Sequence, residues 1–523
     1  MCALILVLVF ASIGFCIQDD QNPCSDGKLR FASYYGDHMV LEQSPERAVL
    51  WGCGPLGAQV TVYLTGPNLQ KTQATVSNGM WRVTLDPVKA GGPYNITAAS
   101  TTSNVTLVDV LFGDVWVCGG QSNMYFEVSQ IFNASEELEF ASNYPDVRFF
   151  MVGLVQSEVE LPDFTKVSIP WSVPNKSDLA PFSAVCWLFG RYLYKTLQYP
   201  IGLVESSWGG TVVEAWSSKR ALQKCGLERD DNNVLGPSAN SFLWNAMIHP
   251  MLNMTIKGAI WYQGEANAAY HRDLYSCTFP AMIRDWRTSF HEGSGGQTAN
   301  DFPFGFVQLS TNQENSTDMG FPEIRWHQTA NNGFVPNYMM RKTFMAVAMD
   351  LPDKSSPYGT IHPRDKQDVA YRLTLGARVI AYNEALTFSG PFPNLILSDI
   401  LYVNITFDQE LSVTPSKDIF EICCLDTLMK FKWVFASIEK WSETTVLIST
   451  ALCPISDEVI GVRYAWRDWP CDFKACPIYG AKTSLPAPPF IFNLQSSSGW
   501  KRHDITNHYL NIAVKQKMHN DLL

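Results

Sequence analysis

Between about Leu107 and Glu384, short apolar segments alternate with longer amphipathic ones, and this pattern constrains the fold more than any other feature of the chain. DVWVCG, PIGLVESS, KGAIWYQG, PFGFVQLS and TFMAVAMD read as strands. AVCWLFGRYLYKTLQ, AMIRDWRTSF and KQDVAYRLTLGARVIAYNE read as helices between them. Strands alternating with helices imply an α/β unit, a parallel sheet with helices on both faces. From Phe31 to about Thr106 the pattern is different: AVLWGCG, QVTVYLTG, MWRVTL and YNITAAS are punctuated by turn residues in the manner of a β-sandwich. After about Pro391 strand-like stretches return in LYVNITF, TTVLIST and VIGVRYAW. The expected organisation is a leader at 1–16, a β-sandwich-like domain at 24–106, an α/β domain at 107–390, a β-rich domain at 391–495 and a tail at 496–523.

A chain of 523 residues with 46% hydrophobic and 17% charged residues can bury sizeable cores, and disorder is excluded. The net charge of −11 and the lack of a basic cluster exclude nucleic acid as a partner. The leader, CALILVLVFASIGFC after Met1, has the length of a signal-peptide core and is too short to span a bilayer, although no basic residue precedes it. Gly14 and Cys16 place cleavage near Ile17, and no later run is apolar enough for a membrane span. Asn95, Asn104, Asn133, Asn175, Asn253, Asn315 and Asn404 each begin a glycosylation sequon, in keeping with the secretory pathway. Of 13 cysteines, Cys2 and Cys16 fall in the leader; the odd remainder predicts disulfides with at least one unpaired thiol. Cys423, Cys424, Cys453, Cys471 and Cys476 do not have structural zinc spacing.

The chemistry points to DVWVCGGQSNMYFEV. A strand ends near Cys118, Gly119 and Gly120 permit a tight turn, and a helix begins near Ser122, which exposes the hydroxyl beside helix-start N–H groups. The alternative is a serine that merely caps the helix. SSWGGTVVEAW offers Gly209 and Gly210 after a strand, and WYQGEAN offers Gln263 and Glu265 at a similar edge. In an open α/β sheet such edges form one crevice. Each of these residues could also be an ordinary turn or cap. His362 in IHPRDK is the best-placed base, since Pro363 suits a first helical turn; His327 in RWHQT is its rival. Trp208, Trp216, Trp261 and Tyr262 are either sugar-facing surfaces or core, and Arg364 is either a carboxylate ligand or a solvated side chain.

GQSNM, SSWGGT, WYQGE and IHP, in that order, resemble the blocks of the SGNH esterase superfamily in its sialate O-acetylesterase branch. The resemblance extends from FASYYGDHMVL to LPAPPF and includes SAVCWLFGRYLY and LWNAMIHP. It implies an SGNH-like fold, Ser122 as nucleophile and His362 as general base and acid. The oxyanion hole it implies comprises the Ser122 N–H, an N–H at Gly209 or Gly210, and the Gln263 side chain. It also implies no metal or organic cofactor, and O-acetylated sialic acid, with the 9-position favoured, as substrate. One departure matters: the superfamily's orienting acid lies three residues before the histidine, and here that residue is Gly359. Glu265 and Asp350 are the candidates for the role, with a backbone carbonyl as the third possibility. Two other functions stay open: a deacetylase of neutral polysaccharides such as acetylxylan, and an inactive carbohydrate-binding glycoprotein.

Overall fold

The computed structural model describes residues 23–227, 236–494 and 500–501. The expected leader at 1–16, and the tail apart from residues 500–501, lie outside the described residues.

The central element is β1 (Asn104–Gly120), 17 residues long. Its first half pairs antiparallel with Gly91–Ala99, and Val40–Glu42 runs parallel beside its middle. Its second half is flanked in parallel by β4 (Ile201–Ser207) and β5 (Gly258–Tyr262). With β2 (Val147–Val152), β3 (Val167–Ser172), β6 (Phe304–Gln308) and β7 (Thr343–Val347), the order is β3-β2-β4-β1-β5-β6-β7, parallel except at the β3 edge. The boundary expected at 106/107 therefore falls inside one continuous strand. Burial along β1 alternates at first and is complete from Val110 onward, where the strand passes from a sheet with one wet face into one covered on both faces. The change in composition at Leu107 marks that passage rather than a break between domains.

Helices cover both faces. Trp116 packs against Phe189 of α2 (Ala184–Leu197), with ring centroids 5.0 Å apart, whereas Trp261 meets Trp286 of α3 (Tyr275–Gly293) at 5.7 Å. Trp116 pairs across the ladder with Gly258, three residues before Trp261, so the two rings lie on opposite faces of the sheet. α4 (Lys366–Ile380) packs beside α2 and on β7. β1 thus lies where the strand order reverses, and in open α/β sheets the ligand crevice forms at the carboxyl end of that position.

The N-terminal strands form two small layers, Val49–Cys53 with Met80–Thr84 in one and Gln59–Thr65 with Gly91–Ala99 in the other. The C-terminal module contains a sheet around Tyr402–Phe407 and another around Phe420–Leu425. It is bolted to the α/β unit through buried polar groups. Asp350 forms a two-pronged ion pair with Arg372 of α4 at 2.6 and 2.9 Å and accepts the Tyr479 hydroxyl at 3.1 Å, while Arg325 donates to the Arg467 and Asp468 carbonyls, each at 2.7 Å.

Among the described residues, five disulfides join Cys24–Cys53, Cys118–Cys186, Cys225–Cys277, Cys424–Cys453 and Cys471–Cys476, and Cys423 is a buried free thiol. The odd count thus resolves into five pairs and one thiol. Among the described residues, no helix is long and apolar enough to cross a membrane.

Candidate active site

β1 delivers its last residues into a cramped turn. Gly120 has φ +143°, and a Cβ there would lie 2.2 Å from the Tyr262 carbonyl oxygen on β5. Only glycine fits. The turn is pinned on both sides, by the Gln121 N–H to the Tyr262 carbonyl at 2.9 Å and by the Trp208 N–H to the Gly120 carbonyl at 3.1 Å. The buried Gln121 side chain also accepts the Ala266 N–H at 3.2 Å. α1 (Ser122–Tyr125) then begins, which leaves Ser122 half-buried at the carboxyl end of the central strand. Four residues upstream, the Cys118–Cys186 disulfide ties β1 to α2.

Ser122 Oγ is 2.9 Å from His362 Nε2, and His362 Nδ1 is 2.8 Å from the Tyr358 carbonyl oxygen. A carbonyl only accepts, so Nδ1 carries the proton and Nε2 presents its lone pair to the serine hydroxyl. The base is seated further by Ser356 Oγ donating to the His362 carbonyl at 2.7 Å and by Phe126, whose ring is stacked on the imidazole at 6.2 Å. Burial holds the imidazole below its ordinary pKa, with the Tyr358 carbonyl opposing the shift and the Lys366 charge adding to it. Burial and the Lys366 charge thus favour the neutral ring, the form that can accept a proton.

Neither candidate acid reaches His362. Glu265 is buried, and its Oε1 accepts from Asn123 Nδ2 at 2.6 Å. Burial pushes this carboxyl up, and the Asn123 bond restrains the shift. Asp350 is committed to Arg372 and Tyr479 at the C-terminal module, because a charge in that interior needs a counter-charge. The group that faces Nδ1 is the Tyr358 carbonyl, the third of the possibilities left open by the sequence.

Gly209 lies against the nucleophile, since a Cβ there would be 3.4 Å from Ser122 Cβ. Gly209 and Gly210 are both exposed, and Gly210 has φ +73°. Neither the Ser122 nor the Gly209 N–H has an acceptor among the described residues, so both are available to an oxyanion. The Gln263 side chain is not. It is fully buried, donates to the Thr211 carbonyl at 3.2 Å and to Asn267 Oδ1 at 2.7 Å, and accepts the Tyr275 hydroxyl at 2.9 Å. Its amide protons are spent on holding the β4 and β5 loops together, which corrects its expected place in the oxyanion hole.

His327 is buried with Nδ1 2.6 Å from Asn331 Oδ1, away from the serine. Trp216, Trp261 and Tyr262 are core, while Trp208 is half-buried beside Gly209. Arg364 forks onto Asp353 at 2.6 and 3.0 Å, which ties down the loop that carries His362. Sequence reasoning passed over Asn123 and Lys366. Lysine at the first position of a helix runs against the macrodipole, and that is the signal it carried.

Residues 112–362 match the family described as "Carbohydrate esterase, sialic acid-specific acetylesterase", and residues 397–494 match the "Sialate O-acetylesterase C-terminal domain". The chain is 52% identical to the sialate O-acetylesterase of Mus musculus, with 88% of this chain and 94% of that protein covered. It is 51% identical to the Homo sapiens sialate O-acetylesterase, with 88% and 92% covered. A crystal structure of a carbohydrate acetylesterase from Xanthomonas citri superposes with a TM-score of 0.75 at 27% identity, covering 88% of this chain and 99% of that one.

Proposed function

This chain belongs to the sialate O-acetylesterase family, and on that premise we propose that it hydrolyses O-acetyl esters of sialic acids, the 9-O-acetyl group foremost, through an acetyl-enzyme. The observation that carries the reading is the 2.9 Å contact between Ser122 Oγ and His362 Nε2 at the strand-order reversal of the sheet. In this mechanism Ser122 attacks the acetyl carbonyl while Nε2 takes its proton. The negative oxygen that develops is met by the Ser122 and Gly209 N–H groups. The imidazolium returns its proton to the departing sugar oxygen, and the C–O bond of the ester breaks. Water, deprotonated by Nε2, then attacks the acetyl-serine, and acetate leaves as the serine recovers its proton. The Tyr358 carbonyl holds the imidazole in one tautomer through both halves.

A second reading, deacetylation of neutral polysaccharides, is favoured by one observation: the cation nearest the base in sequence, Arg364, is already paired with Asp353 and is not free to select a sialate carboxylate. Acetate release from 9-O-acetylated sialic acid and from acetylxylan separates the two. Ser122→Ala should abolish release from whichever substrate is turned over. A fluorophosphonate that fails to label Ser122 in folded protein would leave only a carbohydrate-binding role. Passage through an oxidising compartment to the lysosome or the exterior is part of the proposal, supported by the five disulfides and by the exposure of six of the seven sequon asparagines, Asn253 being half-buried.

A further inference from the structure

Directly beneath the serine and histidine is a buried polar chain that the reaction as written does not use. Lys366, fully buried, places Nζ 2.7 Å from Asn123 Oδ1. Asn123 Nδ2 donates to Glu265 Oε1 at 2.6 Å and to the Ile361 carbonyl at 2.9 Å. The amide orientation is fixed by its partners, because the ammonium can only donate and the carboxylate and carbonyl can only accept.

Position in the chain gives this arrangement its meaning. Asn123 follows the nucleophile directly, and Ile361 directly precedes the base. The sequence separation of 240 between Ser122 and His362 is therefore bridged one residue away from each reacting group. Lys366 secures the other side of the same amide. Among the described residues no carboxylate lies within ion-pair distance of its ammonium, which sits over the Phe126 ring at 4.8 Å and the Tyr262 ring at 5.3 Å. Phe126 is the ring stacked on the His362 imidazole, so one lysine braces the serine turn through Asn123 and the base through Phe126. Burial drives Lys366 down to about 7, opposed by Glu265, Asp365 and Asp353, which are the carboxylates that act on it. A buried lysine held by one amide and two aromatic faces adds little to stability for its desolvation cost.

We propose that Lys366, Asn123 and Glu265 form a positioning bridge that sets the distance and angle between Ser122 Oγ and His362 Nε2. The bridge rests on the serine-esterase reading above. It acts through the two reacting residues and touches no substrate.

The test measures acetate release by the full-length protein across pH, with melting temperature recorded for each variant. Asn123→Ala removes the link at its centre and should lower kcat on the order of 10²-fold with KM little changed, the scale expected when reacting groups are misplaced by about 1 Å. Lys366→Met keeps the volume and removes the ammonium. It should lower kcat by about tenfold or more and shift the acidic limb of the rate profile to higher pH, since the charge that opposes imidazolium is gone. If either variant fails to fold, Asn123→Asp is the alternative. It retains the Lys366 contact but sets a carboxylate against Glu265, and adding Glu265→Gln should recover part of its lost kcat. Folded variants with wild-type kcat and an unmoved acidic limb overturn the bridge, as does a loss seen only in KM or melting temperature. Ser122→Ala distinguishes the two levels: if it is inactive while the bridge variants are normal, only the bridge falls. Turnover by Ser122→Ala would remove the serine mechanism and the bridge with it.

Discussion

Glu265→Gln is the substitution that decides how the histidine is oriented. In a serine enzyme whose imidazole is held by a carboxylate, replacing that acid by its amide lowers the rate about 10⁴-fold, equivalent to about 5.5 kcal/mol of transition-state stabilisation. Here the imidazole N–H is bound 2.8 Å from the Tyr358 carbonyl, and the Glu265 carboxylate contacts Asn123 instead. Gln retains an acceptor oxygen for Asn123 Nδ2, so the variant exchanges a charge-assisted hydrogen bond for a neutral one, a difference of about 1 kcal/mol in a bond one residue removed from the chemistry. The expected loss in kcat is therefore about tenfold or less. Single-turnover acetylation by an activated aryl acetate, together with steady-state release from 9-O-acetylated sialic acid, measures it, and melting temperature checks the fold. A loss of 10³-fold or more in kcat for folded protein would place a carboxylate on the imidazole in the reacting state and refute the carbonyl-oriented dyad.

Asp350→Asn should leave kcat near wild type below its melting transition. Stability should fall by about 3–5 kcal/mol, because Arg372 is left buried beside a neutral amide; a selective loss of kcat would return Asp350 to the site. The acidic limb of kcat/KM should lie below the ordinary imidazole value of 6.5, since burial disfavours the protonated ring, and a limb above that value contradicts the environment described here. Gln263→Ala should act mainly on stability, by about 1–3 kcal/mol, as it strips partners from Thr211, Asn267 and Tyr275, whereas a kcat loss at unchanged stability would restore it to the oxyanion hole. Breaking Cys118–Cys186 by a double serine substitution opens a loop with a sequence separation of 68 and should cost up to about 4 kcal/mol, read in denaturant titration; an unchanged midpoint would mean that the bond does not form in solution.

The sequence disclosed the sheet because a strand covered on both faces has to be apolar throughout, and five such strands punctuated by amphipathic helices leave few alternatives. It disclosed Ser122 through Gly120, whose backbone lies too close to the Tyr262 carbonyl for any side chain. His362 was legible from the IHP block, but its rival His327 is set aside only by its place in a buried hydrogen bond. Glu265 and Gln263 illustrate the limit. Both were correctly placed at the end of β5, yet strand position does not say where a side chain points, and both turn into the polar interior that holds the loops. Asp350 was misleading for a related reason: a carboxylate after β7 can serve the crevice or a neighbouring module, and its partner Tyr479 lies 129 residues away in sequence.

The missing acid and the carbonyl in its place have one cause. Gly359 stands where the superfamily carries its acid, and its φ is +88°, in the left-handed region that a residue with a Cβ enters at a cost. The chain turns there: the Gly359 N–H bonds the Ser356 carbonyl at 3.2 Å, and the His362 N–H bonds the Gly359 carbonyl at 2.9 Å. That turn leaves the carbonyl of the preceding residue, Tyr358, facing Nδ1 of the imidazole four residues on. An aspartate at 359 would not simply add a carboxylate to a waiting geometry. It would have to leave the left-handed region or bear its strain, and either outcome disturbs the carbonyl already in place. A neutral acceptor stabilises imidazolium less than a carboxylate does, so the burden on the remaining geometry rises. The bridge through Asn123 and Lys366 meets that burden: where charge does less for the transition state, accurate placement of serine against histidine must do more.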